Sequence, residues 1–287
     1  MLTWLTHSVN GLAYGSLLFL VASGLTITFG LMRTVNLAHG AFYLIGGYLA
    51  YDLATDGTDY WLALLAGVVA AAIGGMIVER AFLHRLAGRE LPQIVLTLGV
   101  AYIIGDQILA NYGGDPVAPP TPPGLEGPVT IGDWIFPKFR LVMIGVAIGL
   151  ALVVGALLKY TPTGAKVRAA VDDEEIARAV GIRVPLVFLL VFGCGTGLAA
   201  FAGVWGGAFT SLAPESGFEV LLLALIVVVV GGLGSIGGAL TAAFIVGLVD
   251  QYGKVWFPEW ALFTLYASVA ALLAVRPSGL FGKAVFR

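Results

Sequence analysis

Eight long stretches of this chain contain no Asp, Glu, Lys or Arg: residues 1–32, 34–51, 60–78, 91–105, 141–158, 184–214, 220–249 and 260–275. A helix needs roughly 20 mostly apolar residues to cross a hydrocarbon core of about 30 Å. One Asp, Lys or Arg at its centre costs about 2.5–3.5 kcal/mol of insertion free energy. Several of these stretches match one crossing, but 220–249 would extend about 45 Å as a single helix. It is interrupted by Gly231-Gly232-Leu233-Gly234-Ser235-Ile236-Gly237-Gly238, which should break it in two. The expected fold class is all-α: a polytopic transmembrane helical bundle of about eight or nine spans, some broken, forming one domain over 1–287.

Only 11% of residues are charged, against about 25% in a soluble domain, and mean hydropathy is +0.96. The net charge of −2 gives no reason to expect a nucleic-acid partner. Cys194 is the only cysteine, so neither an intrachain disulfide nor a cysteine-rich metal site is available, and a small buried core role is expected for it. No Lys or Arg precedes Arg33, so no cleavable signal is expected and the first stretch is read as a retained span.

Basic residues fall on one set of loops: Arg33; Arg80, Arg85 and Arg89; Lys159, Lys166, Arg168, Arg178 and Arg183; Arg276, Lys283 and Arg287. The alternate loops carry Asp52, Asp56 and Asp59; Asp115, Glu126 and Asp133; and Glu215, with only Lys138, Arg140 and Lys254 of opposite sign. This asymmetry places the C-terminus in the cytoplasm of a plasma (inner) membrane protein. The N-terminus is external if 34–51 crosses fully and internal if it re-enters. Tyr51, Tyr60, Trp61, Tyr160, Trp205, Tyr252, Trp256 and Trp260 sit near span ends, as an interfacial aromatic belt. Asp106 and Gln107 are expected at the outer surface.

Two loops stand out. Residues 111–138 hold Pro116, Pro119, Pro120, Pro122, Pro123, Pro128 and Pro137, and form an external, extended segment, either a docking surface or a spacer. Within the cytoplasmic loop 159–184, Asp172 and Glu175 read as a capping box opening a helix of two to three turns from about Asp173 to Val180. Arg178 suits its last turn and Gly181 its C′ position. Isolated helices this short are marginal in water, which suggests docking against a partner. One face offers Ile176, Ala177 and Val180 to a groove, while Glu174, Glu175 and Arg178 stay solvated. The run Asp172-Asp173-Glu174-Glu175 lacks a second acidic cluster on its side, so no metal site is expected.

Several motifs resemble one family. Arg168-Ala169-Ala170 and Ala177-Arg178-Ala179-Val180-Gly181-Ile182 resemble the coupling loop of ATP-binding-cassette (ABC) importer permeases. Val35-Asn36-Leu37-Ala38-His39-Gly40 resembles the Asn-Phe-Ala-His-Gly signature of branched-chain amino acid permeases, with Leu37 in place of the usual aromatic. Gly231-Gly232-Leu233-Gly234-Ser235 resembles that family's Gly-Gly-Ile-Gly-Ser segment, and Arg276-Pro277-Ser278-Gly279-Leu280-Phe281-Gly282 its C-terminal ending. The resemblance implies a heteromeric importer with a second homologous permease subunit, two cytosolic ATPases and an external solute-binding protein. Arg168, Asp172, Glu175, Ile176, Ala177, Val180 and Gly181 would make the ATPase coupling contact. No Gly-x-x-x-x-Gly-Lys-Ser/Thr loop is present, so ATP hydrolysis is expected on partner subunits and this chain is expected to be no enzyme and to bind no cofactor.

The candidate pathway or gating residues are Asn36, His39, Gly40, Gly231, Gly232, Gly234 and Ser235. Asn36 and His39 are polar groups between apolar runs, and such groups face a bundle interior or a pathway. The plainer reading is that Asn36 caps a helix starting at Leu37. The two readings are compatible, since a half-helix N-terminus in a membrane can meet a substrate carboxylate. Both breaks precede an apolar helix ending near an Asp, Asp52 and Asp250, as a faint internal repeat. Urea, short amides and small carboxylates are the alternative substrates within the same architecture. An ion-coupled transporter needs more titratable groups than His39 supplies, and a channel needs no capped docking helix.

Overall fold

The computed structural model describes residues 2–32, 36–131 and 134–282. Val35 of the first motif, Arg33, Lys283 and Arg287 of the basic set, and Asp133 of the acidic set lie outside the described residues. The helices are α1 (Leu2–Met32), α2 (His39–Thr55), α3 (Tyr60–Ala81), α4 (Glu90–Tyr112), α5 (Lys138–Tyr160), α6 (Pro162–Asp172), α7 (Glu174–Ala179), α8 (Val184–Thr210), α9 (Ser216–Gly231), α10 (Ile236–Trp256) and α11 (Ala261–Val275).

Among the described residues, seven helical segments are long and apolar enough to cross a membrane: α1, α3, α4, α5, α8, α10, and α11 with the turn before it. At 17 and 16 residues, α2 and α9 extend only about 25 Å. The expected eight or nine crossings thus divide into seven full-length helices and two shorter ones. The 220–249 run breaks where glycine predicts, α9 ending at Gly231 and α10 starting at Ile236.

In lipid both the inner and outer faces of a helix are apolar, so close approach decides which face is inside. α1 is central, with 78% of its apolar window buried against 22% for α4 and 6% for the α11 segment. It packs through small residues: a Cβ on Gly15 would come within 2.5 Å of the Ala243 carbonyl oxygen on α10. The peripheral helices keep inward stripes at four-residue spacing, Ala63, Gly67, Ala71, Gly75 and Glu79 on α3 and Gln93, Thr97 and Ala101 on α4. Their other faces expose Leu91, Val95, Ile103, Leu152 and Phe263.

Trp4 packs on Tyr252 and Trp256, with ring centroids 5.7 and 5.3 Å apart, so α1 begins beside the end of α10. At the other end of the bundle Gly30 approaches Gly234, and the C-terminal segment 279–282 lies against Gly232. α6 and α7 share this second end, since Ile27 packs against their apolar cluster. The Pro-rich loop stands at the first end. There the Tyr112 hydroxyl donates to Asp52, and Val117 and Leu212 exchange backbone hydrogen bonds of 2.8 and 2.7 Å. That loop carries an antiparallel strand pair, β1 (Pro128–Ile131) with β2 (Trp134–Pro137). The loops rich in basic residues and those rich in acidic residues thus fall at opposite ends.

Three expectations are corrected. Trp205 belongs to no surface belt: it is 3% exposed and stacks between Phe139 and Phe201, because α8 is covered by α1, α2 and α3. Tyr60 is likewise buried, at 7% exposure. Cys194 is exposed. Its neighbours Gly193 and Gly195 face α3 and α1 respectively, and the residue between them points into the open sector. Asp106 and Gln107 are exposed, as expected.

Candidate functional site

α2 starts inside the protein. His39 is fully buried beside Val21 and Gly24, which stand about 12–16 Å back along α1 from Met32. The first turn of α2 therefore lies inside the bundle rather than level with the end of α1. Helix begins at His39 rather than Leu37. Asn36 does not cap it: the N-cap is Ala38, with no side-chain cap bond, and Asn36 Oδ1 instead accepts from the Ala38 N–H at 3.1 Å in the turn just before the helix. The Leu37 N–H donates to Thr97 Oγ1 of α4 at 3.2 Å. The His39 Nε2–H donates to the Val21 carbonyl at 3.0 Å, while Nδ1 has no partner; nor has Asn36 Nδ2.

Gly40 lets this start close against α9, since a Cβ there would fall on the Gly217 carbonyl. The result is a buried helix N-terminus with two unused amide N–H groups and one unused imidazole nitrogen. A carboxylate suits the positive helix end and the amide donors. Asn36 is 5% and His39 0% exposed, so a solute reaches them only when the surrounding helices part.

The second break does not join this site. Gly231 lies 14 residues beyond Gly217 on α9, about 21 Å along its axis. Gly232 and Gly234 adopt φ of 97° and 77°, the left-handed region that glycine enters without strain. Ser235 caps α10 by accepting from the Gly238 N–H at 3.1 Å. The C-terminal segment supplies the rest, as the Leu280 N–H donates to the Val230 carbonyl at 2.8 Å and the Phe281 N–H to Gly231 at 3.2 Å. Carbonyls that the end of α9 leaves unpaired are satisfied this way. The glycine motif and the C-terminal motif are thus two halves of one joint.

The α6–α7 segment differs in detail from expectation. Asp172 ends α6, and Asp173 is the cap, accepting from the Ile176 N–H at 2.9 Å. Two adjacent aspartates made the register ambiguous. At the far end the Gly181 N–H donates to Arg178 and the Ile182 N–H to Ala177, both at 3.0 Å, with Gly181 at φ 87°. This is the Schellman arrangement, with Gly181 at C′ as expected. Ala177 is turned inward, 1% exposed, against Ala170 and Val184, so it offers nothing to a partner. Ile176 and Val180 are 63% and 70% exposed and lie one turn apart on the open face. Arg168, Asp172 and Glu175 are exposed, and Arg178 pairs with Glu174.

Sequence reading missed α6, although Thr161-Pro162 was legible as an N-cap followed by proline at N1: Thr161 Oγ1 accepts from the Gly164 N–H at 3.0 Å. It also missed Thr97 and the buried Glu79. Glu79 had marked the end of a charge-free run, yet it continues the inward stripe of α3.

A family model described as branched-chain amino acid transport system / permease component matches residues 8–273. The chain belongs to that family. It is 27% identical to the high-affinity branched-chain amino acid transport system permease protein LivH of Escherichia coli (strain K12), over 98% of this chain and 96% of that protein. Identity to the corresponding permease protein BraD of Pseudomonas aeruginosa is 26%, over 98% and 96%. The permease protein LivM of E. coli is 30% identical over 90% of this chain, which spans 66% of LivM. Membership of a permease family agrees with the multi-pass helical bundle described above.

Proposed function

We propose that this chain is the membrane permease subunit of an ABC importer for branched-chain amino acids. The observation that carries the substrate class is the family match along nearly the whole chain, with LivH and BraD as relatives. Its similarity to both LivH and LivM supports pairing with a second homologous permease. Two cytosolic ATPase subunits supply the energy and an external binding protein delivers the substrate. The basic end of the bundle, with the C-terminus and α6–α7, faces the cytoplasm; the N-terminus and the Pro-rich loop face outward.

In this reading α7 is the coupling helix. Ile176 and Val180 form its contact with an ATPase, and its rigid caps at Asp173 and Gly181 hold the helix while force crosses the interface. The buried start of α2 is the gate: the Asn36 amide meets the substrate carboxylate, and the His39 Nδ1 lone pair accepts from the substrate ammonium group, when α1, α8 and α9 part. The test is co-purification with the partner subunits, together with a ligand screen of the cognate binding protein by thermal shift. Stabilisation by leucine, isoleucine or valine supports the proposal. Stabilisation by urea, short amides or small carboxylates alone would reassign the substrate within the same architecture.

A further inference from the structure

Glu79 is the one acidic side chain on the inward stripe of α3, and it is 1% exposed. Its Oε1 has no hydrogen-bond partner, and His84 Nδ1 stands 3.9 Å away, beyond hydrogen-bonding reach. A buried carboxylate in that condition is unfavourable unless a cation reaches it. Beside it lies a cavity of about 50 Å³, lined among others by His84, Gln93, Phe188 and, from the coupling helix, Glu174 and Arg178. Arg178 is at present bound to Glu174 one turn earlier on α7, with both side chains about half exposed, 56% and 43%. An exposed pair of that spacing is weak. The guanidinium is therefore lightly held beside a cavity whose lining includes a buried carboxylate with one oxygen free of hydrogen bonds.

We propose that Glu79 is a positioning residue for energy coupling: the buried carboxylate to which Arg178 transfers from Glu174 when α7 is pressed toward the membrane domain. A guanidinium is planar and carries several donors, so it can pair with a carboxylate while touching the neighbouring wall. The transfer closes the cavity and ties α7 to α3. It also bears on the gate, because Gln93 lines the same cavity and Thr97, one turn further along α4, accepts the Leu37 N–H at the start of α2. A shift of α7 thus reaches the first break through one turn of one helix.

This inference rests on the permease reading, and the experiment separates the two. The assembled importer is reconstituted in vesicles, and ATP hydrolysis is measured with and without loaded binding protein. If the wild-type assembly shows neither uptake nor stimulation, the permease reading fails. With wild-type stimulation present, Glu79→Gln is expected to reduce the stimulated part at least fivefold while basal hydrolysis stays, and Glu79→Asp to keep most of it. The double variant Glu79→Gln/Arg178→Gln is expected to be no worse than either single one, because both remove the same pair. Full stimulation in Glu79→Gln, or losses that multiply in the double variant, would overturn the proposal. A second measurement does not depend on replacing either partner. Spin labels at Ala87→Cys and Glu175→Cys, with Cys194→Ala, should come closer when a non-hydrolysable ATP analogue traps the complex. An unchanged distance refutes the transfer.

Discussion

Replacing both Ile176 and Val180 by alanine should weaken attachment of the permease to its ATPase without harming the permease itself. Fully burying a side chain of this size stabilises by about 1.5–3 kcal/mol. Exposure of 63% and 70% leaves most of that gain unrealised in the isolated chain. Docking that covers both would contribute about 2–4 kcal/mol, or roughly thirty- to several-hundred-fold in the association constant. Neither residue supports the fold of α7, which rests on Asp173, Gly181 and the inward Ala177. The assay is titration of purified ATPase onto immobilised permease in detergent, with melting of the permease alone as control. An unchanged affinity, or a loss matched by a lower melting temperature, would refute the assignment of this face to the partner.

Three further outcomes are expected. Asn36→Leu or His39→Leu should abolish uptake while the complex still purifies; loss of assembly instead would reduce both to a structural role, and unchanged uptake would remove them from the gate. Gly279→Val should destabilise by about 1–2 kcal/mol from its φ of 76° alone, with crowding against the Val229 carbonyl added; thermal melting in detergent reads it, and an unaltered midpoint would deny the joint with α9. Cysteines placed in 159–184 and 80–90 should label from the cytoplasm only and those in 111–138 from outside only; the reverse pattern would invert the orientation.

Much of the fold was legible because charge is so costly in hydrocarbon that its absence marks the spans. Gly231–Gly238 declared itself as a break because no single helix fits 220–249, and Asn36 and His39 did so by being polar between apolar runs. The same rule concealed Glu79, since a carboxylate taken as a boundary is not examined as part of the helix. Cys194 and Trp205 were misplaced for a different reason. On α8 the lipid face and the core face are equally apolar, so hydropathy has no period, and only the small residues that permit contact tell one from the other. At α7 the cap, the glycine terminator and the exposed Ile176 and Val180 could be read, but the inward turn of Ala177 depends on α6, whose Thr161-Pro162 start went unread.

The most direct test of the central claim is uptake. The chain is reconstituted in vesicles with its second permease and ATPases, and supplied with binding protein and labelled leucine. ATP-dependent accumulation of leucine, displaced by isoleucine and valine and abolished when this chain is omitted, is the expected result. Accumulation that needs no ATP, or ATP-driven uptake of another solute class with leucine ignored, would contradict it.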